Sequence, residues 1–542
     1  MNFLLILVII AWLIGACVRV YRQARFYQIE EYMSARYLRW LFGERQRWLP
    51  NRPLAAWFVG TALGLLSEAP NSPLPYIIGV IAAVVAGIPP REKEVKKAFK
   101  RTARATRLLA AAFVVAALMA ITGNAVIGAL PDVEEVRFVA AMTWGVALFL
   151  FAPLWLVLGN VLMTPVEAAF RARFIAKARH VLEEANLTVI GITGSYGKTS
   201  TKSYLAHILN TRYKAYPSPK SYNTLMGLCL AINNDIANDH SLEYFIAEMG
   251  AYIPGEIKSI SELTHPTIGV VVEVGPQHLE RFGSPENVAL AKYEIIKGLP
   301  PDGVGVFNWD NTYIREMYER GYPQTRIAVS REANAPGDVH FTASNVVESL
   351  DGLTFTVTDR QTGQQEEFRT PLLGLHNVTN LLLATAVAVH ERMTLKEVAR
   401  AVRTLQPAES RLVRRVTAEG ITIINDAYSA NPVGAEQSLR VLGMHRTGRR
   451  LLVTPGMVEL GELMESENRK LGETAAEHAT DVILVGAKQT EAVKTGLLAA
   501  GFEAEKLQVV DTLAEAMQWY QANLKAGDTV LFLNDLPDVY LS

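Results

Sequence analysis

A glycine-rich segment in the middle of the chain has the residue types that bind phosphate. It reads GITGSYGKTSTK, and its Gly194, Gly197, Lys198 and Thr199 follow an apolar, β-branched run at 187–193. Such a run is typical of a buried parallel strand, and the residues after Gly197 are typical of a helix start. Glycines let backbone N–H groups approach phosphate oxygens, a lysine neutralises phosphate charge, and a threonine hydroxyl can bind Mg²⁺. The segment therefore predicts a phosphate-binding loop for a nucleotide.

The glycine spacing of this loop is a variant of the commonest phosphate-binding pattern. In G-x-x-x-x-G-K-[ST] the first glycine would stand where this chain has Ile192. Instead, Gly191, Gly194 and Gly197 give G-x-x-G-x-x-G-K-T. A glycine-rich turn of chance composition is the alternative interpretation. The strand and the helix on either side favour the nucleotide site.

That variant spacing resembles the ATP loop of the Mur ligases, the ATP-dependent amide-forming enzymes of peptidoglycan precursor synthesis. Further segments follow in the family's order: IAEMGAYIPGEI (246–257), VGPQHLERFGS (274–284), ALAKYEIIKGLP (289–300), GLHNVTNLLLATAVA (374–388), SRLVRRV and INDAYSANP. The resemblance covers roughly residues 186–533 and is closest to the members that add D-alanyl-D-alanine. It implies an ATP-dependent acid–amino-acid ligase that converts ATP to ADP and phosphate.

The resemblance also implies roles for individual residues. The residues expected to bind ATP are Gly194, Ser195, Gly197, Lys198, Thr199, Ser200, Asn380, Arg411 and Asp426. Those expected to bind two Mg²⁺ ions are Thr199, Glu248, His278 and Lys292, and the catalytic set is Lys198, His278 and Lys292. In the family the lysine at the position of Lys292 is carbamylated, which turns a cation into an oxygen donor for a hard metal. Lysine and metal charges would offset the repulsion between the acceptor carboxylate and the γ-phosphate.

The elements that must position these residues divide the chain into three parts. We predict a transmembrane helical region at 1–165, a central ATP-binding domain of the phosphate-loop type at 166–407, and a C-terminal Rossmann-like domain at 408–542. Apolar strands alternate with helical patterns in the last two parts, which is typical of α/β folds. Residues 338–371 are expected to form a β-hairpin within the central domain.

The N-terminal part is unusually apolar. Half of all residues are hydrophobic and the mean hydropathy is +0.14, which is high for a soluble chain of 542 residues. Uncharged runs at 2–18, 108–130 and 138–163 are each long enough to cross a bilayer. The runs at 54–67 and 74–89 are shorter and could be two tight spans or one re-entrant hairpin.

Charge asymmetry predicts the orientation of these runs. The loop at 21–53 carries seven Arg against three Glu, and the loop at 91–107 carries eight Lys or Arg against two Glu. The loop at 131–137 carries three acidic residues and one Arg. By the positive-inside rule the first two loops are cytoplasmic and the third is external. This predicts a multi-pass protein of the bacterial cytoplasmic membrane, with its N-terminus outside and its ligase domains in the cytoplasm.

These features favour a membrane-anchored amide ligase that joins an activated acceptor carboxylate to an amino acid or dipeptide. Apolar runs stand where the family has a UDP-sugar-binding domain, so the expected partners are ATP, a cell-wall or lipid-linked peptide precursor, and the added amine. D-alanyl-D-alanine addition in peptidoglycan synthesis is the first hypothesis, and a poly-γ-glutamate-synthase-like ligase is the alternative. A non-catalytic ATP-binding membrane scaffold is less favoured, because the catalytic residue types are all present. The charge balance, 53 basic against 54 acidic residues, argues against nucleic-acid binding.

Overall fold

The computed structural model describes residues 3–67, 72–89, 99–219, 222–277, 279–409, 411–427 and 431–534. The chain divides into two compact units, Met1–Arg173 and Phe174–Ser542. The first unit is helical and the second is α/β, which agrees with the fold class expected from the sequence. The domain boundaries at 165 and 407 stay predictions.

The N-terminal unit is built from apolar helices. They are α1 (Phe3–Ile29), α2 (Ser34–Gly43), α3 (Arg45–Trp48), α4 (Asn51–Leu66), α5 (Leu74–Gly87), α6 (Ala103–Gly128) and α7 (Glu134–Ala185), the last of which continues into the second unit. By length and composition, α1, α6 and α7 could each cross a membrane, and α5 is a shorter apolar helix.

The helices that begin in this unit extend beyond the apolar runs. The apolar run 138–163 continues through the segment 164–185 in one helix, α7, which contains Pro153 and Pro165. The basic segment 21–53, expected as a loop, consists largely of the end of α1 together with α2 and α3. Hydropathy detects only the apolar part of a helix, whereas the backbone hydrogen bonds of a helix continue through polar residues.

Small residues let the helices of the N-terminal unit approach closely. A Cβ atom added at Gly15 of α1 would lie 3.4 Å from the Cα of Gly87 in α5. A Cβ at Gly145 of α7 would lie 2.3 Å from the Trp12 ring of α1. Such close contacts are typical of helix packing in membranes. Apolar side chains gain little hydrophobic free energy by leaving lipid for a helix interface, so close van der Waals packing holds the helices together.

Helices α4 and α5 form a hairpin beside α1 and α7. The end of α4 and the start of α5 lie against Phe138, near the start of α7. A Cβ atom added at Gly64 would be 2.5 Å from the Phe138 ring. The centre of the Tyr76 ring is 6.0 Å from the centre of the Phe138 ring. The other end of α5, at Gly87, lies against Gly15 of α1. Two tight spans and one re-entrant hairpin would both return the chain, after residue 89, to the side of the membrane on which it entered.

A nine-stranded sheet forms the centre of the second unit. Its strands are β1 (Thr188–Thr193), β2 (Ala215–Pro217), β3 (Tyr244–Glu248), β4 (Ile268–Val271), β5 (Val304–Asn308), β6 (Thr325–Ser330), β7 (Val339–Ser349), β8 (Gly352–Asp359) and β9 (Gln365–Thr370). The order is β2-β3-β1-β4-β5-β6-β7-β8-β9. Pairings from β2 to β7 are parallel, and β7, β8 and β9 pair antiparallel. The predicted hairpin at 338–371 is confirmed.

Helices cover both faces of this sheet. They are α8 (Lys198–Leu209), α9 (Leu225–Asn234), α10 (Glu256–Thr264), α11 (Leu279–Phe282), α12 (Pro285–Lys297), α13 (Thr312–Glu319), α14 (His376–His390) and α15 (Leu395–Ala401). Alternate residues of β1 face opposite cores: Ile190 packs with Leu205 of α8 and Leu382 of α14, while Val189 packs with Ile295 of α12. Burial on both faces explains why β1 is a continuous apolar run.

The C-terminal part of the second unit contains a second, six-stranded sheet. Its strands are β10 (Val413–Val416), β11 (Thr422–Asp426), β12 (Arg450–Thr454), β13 (Asp481–Val485), β14 (Leu507–Val510) and β15 (Thr529–Leu533), in the order β10-β11-β15-β12-β13-β14. Its helices are α16 (Pro432–Met444), α17 (Met464–His478), α18 (Glu491–Ala499) and α19 (Leu513–Asn523). All pairings are parallel except that of β10 with β11. The alternation of apolar strands with helices that was expected here is confirmed.

Candidate active site

The phosphate loop, residues 194–197, joins the carboxyl end of β1 to the amino end of α8. Gly197 is in the left-handed conformation with φ +77°. A Cβ atom there would lie 2.6 Å from both Asn380 Oδ1 and Val272 Cγ1. No side chain caps α8 at this position, so the N–H groups of its first turn remain able to donate to a ligand. The loop has the close packing and the helix N-terminus that phosphate binding requires.

Replacing Gly197 with alanine is expected to lower both the unfolding temperature and ATP affinity. A left-handed backbone costs a non-glycine residue about 1–2 kcal/mol, and the new methyl group would also displace Asn380. The matched control is Gly363→Ala, because Gly363 has φ +74° and a Cβ added there would have nothing within 4 Å. Thermal unfolding with and without ATP measures both effects. Equal destabilisation by the two variants, with ATP affinity retained, would contradict the role given to the loop.

Lys198 begins α8 and bends back over the phosphate loop. Its Nζ donates hydrogen bonds to the backbone oxygens of Gly194 at 2.6 Å and Ser195 at 3.2 Å. Burial lowers the pKa of Lys198 to about 8, with Glu248 opposing this shift and Arg411 adding to it. The two hydrogen bonds hold the Lys198 side chain at the loop. The charged oxygens of a bound phosphate would compete with these neutral carbonyl oxygens for the ammonium group.

Glu248 ends β3, the strand next to β1, and the residue is 1% exposed. Its carboxylate accepts hydrogen bonds from Lys202 Nζ at 2.9 Å, Thr199 Oγ1 at 3.0 Å and Asn223 Nδ2 at 3.2 Å. Burial raises the pKa of Glu248, but Lys202 and Lys198 outweigh it, so the net shift is downward. The group is a buried, ionised carboxylate beside the phosphate loop.

The oxygen donors around Glu248 fit a hard divalent cation. Thr199 Oγ1 and Glu248 Oε2, 3.0 Å apart, are a hydroxyl and a carboxylate of the kinds that bind Mg²⁺. His278, the other side chain expected in the metal set, lies outside the described residues. Within the described part of the chain, no three His, Cys, Asp or Glu side chains are grouped so that they could hold a metal. The four-residue metal set therefore stays a prediction.

Lys292 lies on α12 and is 3% exposed. Its Nζ is 5.6 Å from the centre of the Phe282 ring. Burial lowers the pKa of Lys292 to about 7, and the charge of Lys198 contributes in the same direction. A substantial fraction of the amine is thus neutral near pH 7, which is the form that can react with CO₂. Carbamylation of Lys292 stays a prediction.

A cleft in the second unit brings the phosphate loop together with residues near the second sheet. Its lining residues are Tyr196, Gly197, Thr199, Ser200, Val272, Glu273, Arg331, His376, Thr379, Asn380, Arg411, Asp426, Asn431, Val433 and Gly434. Six of the nine residues expected to bind ATP are in this set: Gly197, Thr199, Ser200, Asn380, Arg411 and Asp426. We call this space the central cleft.

Two polar atoms of the central cleft lack partners although they are buried. They are Tyr196 OH and His376 Nδ1, neither of which has a hydrogen bond within the described structure. Burial lowers the pKa of His376 to about 4, and Arg331 and Arg411 add to the shift, so the imidazole is neutral at pH 7. Buried polar atoms without partners cost free energy unless a ligand or water satisfies them. Together with two arginines in the lining, they fit a polar, anionic ligand such as ATP.

Hydrogen bonds to neighbouring side chains hold Asn380 beside the phosphate loop. Its Oδ1 accepts from Thr201 Oγ1 at 3.2 Å, and its Nδ2 donates to Asn377 Oδ1 at 3.0 Å. The amide is thereby oriented next to Gly197. ATP binding by Asn380 stays a prediction.

Arg411 and Asp426 reach the central cleft from the C-terminal part of the unit. Asp426, at the end of β11, accepts hydrogen bonds from Ser438 Oγ at 2.6 Å and from the Leu412 N–H at 3.2 Å. Burial raises the pKa of Asp426, and Ser438 and Arg411 partly offset the shift. Asp426 therefore fixes the chain next to Arg411 and is itself one of the residues that line the cleft.

Three residues of this region were missed by sequence reasoning. Lys202 lies one helical turn after Lys198 and pairs with Glu248, so its four-residue spacing was the available signal. Glu273 follows β4, the strand on the other side of β1, and accepts hydrogen bonds from Asn308 and Asn311. A carboxylate just beyond the end of a central parallel strand was the signal for it. For Tyr196, which also lines the cleft, the sequence offers no specific signal.

Both parts of the second unit match known protein families. The profile of the Mur ligase middle domain matches residues 192–388, and that of the Mur ligase glutamate ligase domain matches residues 410–534. A UDP-N-acetylmuramoyl-tripeptide–D-alanyl-D-alanine ligase of Bacillus subtilis (strain 168) is 30% identical over 356 residues, covering 66% of this chain and 74% of that protein.

Solved structures show the same fold. MurF from Acinetobacter baumannii superposes with a TM-score of 0.58 at 25% identity, covering 67% of this chain and 77% of that one. MurF from Thermotoga maritima in complex with ADP gives a TM-score of 0.59 at 24% identity, covering 67% and 80%. The N-terminal helical unit is additional to the two matched domains. The chain belongs to the Mur ligase family of ATP-dependent ligases.

Proposed function

We propose that this protein is a membrane-anchored ligase that joins D-alanyl-D-alanine to the peptide carboxylate of UDP-N-acetylmuramoyl-tripeptide. The relatives support a Mur ligase role in peptidoglycan synthesis. The identities of the added dipeptide and of the acceptor are the more specific part of the proposal. The observation that carries it is the Glu248 carboxylate, 3.0 Å from the Thr199 hydroxyl of the phosphate loop. A hydroxyl and a carboxylate at the phosphate loop are the kinds of group that hold Mg²⁺ in phosphoryl-transfer enzymes, and this supports the proposal.

The proposed reaction has two balanced steps. An oxygen of the acceptor carboxylate attacks the γ-phosphorus of ATP, forming a C(O)O–P bond while the bond to the β–γ bridging oxygen breaks and ADP leaves. The amine of the dipeptide then attacks the carbonyl carbon, the amide forms, and phosphate leaves with one carboxylate oxygen. The ammonium group of the dipeptide loses one proton before its nitrogen attacks in this second step, and the proton lost as the amide forms leaves on the phosphate.

The main role proposed for the residues at the phosphate loop is to offset the negative charge of the reacting groups. In the first step two anions must approach, and Lys198 would turn from the carbonyl oxygens of Gly194 and Ser195 to the transferring phosphoryl group. Thr199 and Glu248 would hold Mg²⁺, which supplies further neutralisation of phosphate charge when it is bound. Lys202 keeps the Glu248 carboxylate ionised and oriented. His278 and a carbamylated Lys292 are proposed as the ligands of a second Mg²⁺.

The substrate assignment is tested by phosphate release from ATP and Mg²⁺ by the detergent-purified protein. Each acceptor, UDP-N-acetylmuramoyl-tripeptide or a lipid-linked muramyl peptide, is combined with D-alanyl-D-alanine, D-alanine or glutamate. Release that requires the UDP-linked tripeptide together with the dipeptide is the expected result. Release with glutamate as both acceptor and amine would instead identify a poly-γ-glutamate-type ligase. Nucleotide binding without turnover under every pairing would support the scaffold hypothesis.

The membrane orientation has a separate test. We propose that α1, α6 and α7 cross the cytoplasmic membrane with the basic segments 21–53 and 91–107 inside. A reporter fused after Arg137, in the short acidic segment before the apolar part of α7, is expected to give an external signal, and one fused after Arg39 a cytoplasmic signal. A cytoplasmic signal at the first position would contradict the proposed orientation.

A further inference from the structure

Glu273 lines the central cleft but is not used in the proposed phosphoryl transfer. It follows β4, and its backbone oxygen accepts a hydrogen bond from the Ser195 N–H at 2.7 Å. A Cβ atom added at Gly194 would lie 2.9 Å from the Glu273 backbone nitrogen. The residue is therefore fixed against the phosphate loop, in the space that fits ATP.

Two amide side chains orient the Glu273 carboxylate. Asn308 Nδ2 donates to its Oε2 at 2.9 Å, and Asn311 Nδ2 donates to its Oε1. Each amide is itself held in place, because Asn308 also donates to the Val272 backbone oxygen at 3.0 Å and Asn311 to that of Val274 at 2.8 Å. A carboxylate can accept about four hydrogen bonds, so these two donors leave capacity for a donor of the ligand.

The charge of Glu273 is set by its surroundings in the cleft. Burial raises the pKa of Glu273 to about 7, while the hydrogen bond from Asn311 and the charge of Arg331 oppose this shift. The charge of Asp310 adds to the shift, and the Val274 backbone makes a smaller opposing contribution. At pH 8 the carboxyl group is therefore mostly ionised, and an ionised carboxylate only accepts hydrogen bonds.

An ionised carboxylate restricts which part of ATP can lie next to it. The triphosphate is itself negatively charged, so a carboxylate repels it. The hydrogen-bond donors of ATP are the ribose hydroxyl groups and the 6-amino group of adenine. Glu273 is therefore suited to the nucleoside, whereas Lys198 and the amino end of α8 are suited to the triphosphate.

Two planar side chains in the central cleft favour the base over the ribose as the neighbour of Glu273. Tyr196 and His376 both line the cleft. Burial raises the pKa of Tyr196, and the charges of Glu273 and Glu467 add to the shift, so the Tyr196 phenol lies within electrostatic range of the Glu273 carboxylate. Aromatic side chains stack on the flat face of a purine, and a ribose ring offers no such face.

We propose that Glu273 selects adenine nucleotides by accepting a hydrogen bond from the 6-amino group of the base. A base with an oxygen at position 6 would place a second acceptor against the carboxylate, which leaves both groups without a donor. The proposal rests on the assignment of the central cleft to ATP. It does not depend on the identity of the acceptor substrate or of the added amine.

The test measures the binding of three nucleoside diphosphates to the detergent-purified, full-length protein by calorimetry at pH 8. ADP has an amino group at position 6 of the purine, purine riboside diphosphate has hydrogen there, and inosine diphosphate has oxygen. ADP is expected to bind at least tenfold more tightly than purine riboside diphosphate, as the loss of a hydrogen bond to a charged group predicts. Inosine diphosphate is expected to bind more weakly still, because a carboxylate repels its oxygen whereas a hydrogen-bond donor would attract it. This order is measured without any variant.

The variant Glu273→Gln assigns the preference to this residue. Its amide NH₂ group can donate to the oxygen of inosine diphosphate, so the preference for ADP over inosine diphosphate should fall at least tenfold. Glu332→Gln is the matched control, because Glu332 is an exposed carboxylate shortly after β6 and is not among the described residues that line the cleft. It should leave the preference unchanged. Thermal unfolding shows whether each variant is folded.

Other outcomes would overturn the proposal. Inosine diphosphate binding as tightly as purine riboside diphosphate would show that no carboxylate lies at position 6. Equal weakening of ADP and inosine diphosphate by Glu273→Gln would show a residue that only supports the loop. A loss of preference for ADP over 2′-deoxy-ADP or 3′-deoxy-ADP in this variant, with the base preference kept, would place Glu273 at the ribose. Absence of ADP binding by the unchanged protein would contradict the ATP site itself, which distinguishes that failure from a failure of base selection.

Discussion

Replacing Lys198 with alanine is expected to lower acceptor-dependent phosphate release by about 10²- to 10³-fold, the usual cost of removing a group that stabilises transition-state charge. The side chain is held over the phosphate loop by Gly194 and Ser195, at the amino end of α8. The acceptor carboxylate and the γ-phosphate are both anionic, and no other lysine contacts the loop through a hydrogen bond among the described residues. The measurement is kcat in the phosphate-release assay.

Two controls separate this effect from a loss of folding. Lys396→Ala removes an exposed lysine from α15 and should leave kcat unchanged. The unfolding temperature of Lys198→Ala should stay close to that of the unchanged protein, because Lys198 bonds only to loop carbonyl oxygens in the described structure. Near-normal turnover by Lys198→Ala would show that the phosphate loop does not perform phosphoryl transfer.

The second large effect is expected at the buried pair of Glu248 and Lys202. Both side chains are less than 5% exposed and their charged atoms are 2.9 Å apart. Removing one partner of such a pair takes the nearest counter-charge away from the other, which costs about 3–5 kcal/mol. Glu248→Gln and Lys202→Met should therefore each destabilise the second unit strongly. Thermal unfolding of the purified variants measures the loss.

The double variant separates stability from catalysis. Glu248→Gln combined with Lys202→Met removes both charges, so its stability should return close to that of the unchanged protein. Its ligase activity should remain lost, since no carboxylate is left to bind Mg²⁺ beside Thr199. Glu262→Gln is the surface control, because Glu262 and Lys258 are 3.8 Å apart and mostly exposed. Activity in the double variant would exclude Glu248 as a metal ligand.

The parts of the site that follow from local sequence were predictable. The phosphate loop was found because strand, glycines and helix are contiguous, whereas Glu248 was identified through the family resemblance, with which its place at the end of an apolar strand agrees. Asp426 and Arg411 were identified only through the family resemblance. The structure places both in the central cleft with Gly197, although they lie far from it along the chain.

The remaining features depend on contacts between distant residues. The pairing of Lys202 with Glu248 depends on the register between α8 and β3, which no local pattern contains. The partnerless His376 Nδ1 depends on how α14 packs against the cleft. In the N-terminal unit, hydropathy located the apolar runs but not the continuation of α1 to Ile29, because polar residues can extend a helix that apolar residues begin.

Activation of the acceptor carboxylate by direct attack on ATP is the step on which the proposed function depends most. The most direct measurement uses an acceptor with both carboxylate oxygens replaced by ¹⁸O, together with ATP, Mg²⁺ and the amine substrate. Mass analysis of the released phosphate should find one ¹⁸O atom per phosphate, formed in equal amount to ADP and to the amide. Unlabelled phosphate, released without amide, would mean that water attacks ATP and that the protein is not a ligase of this mechanism.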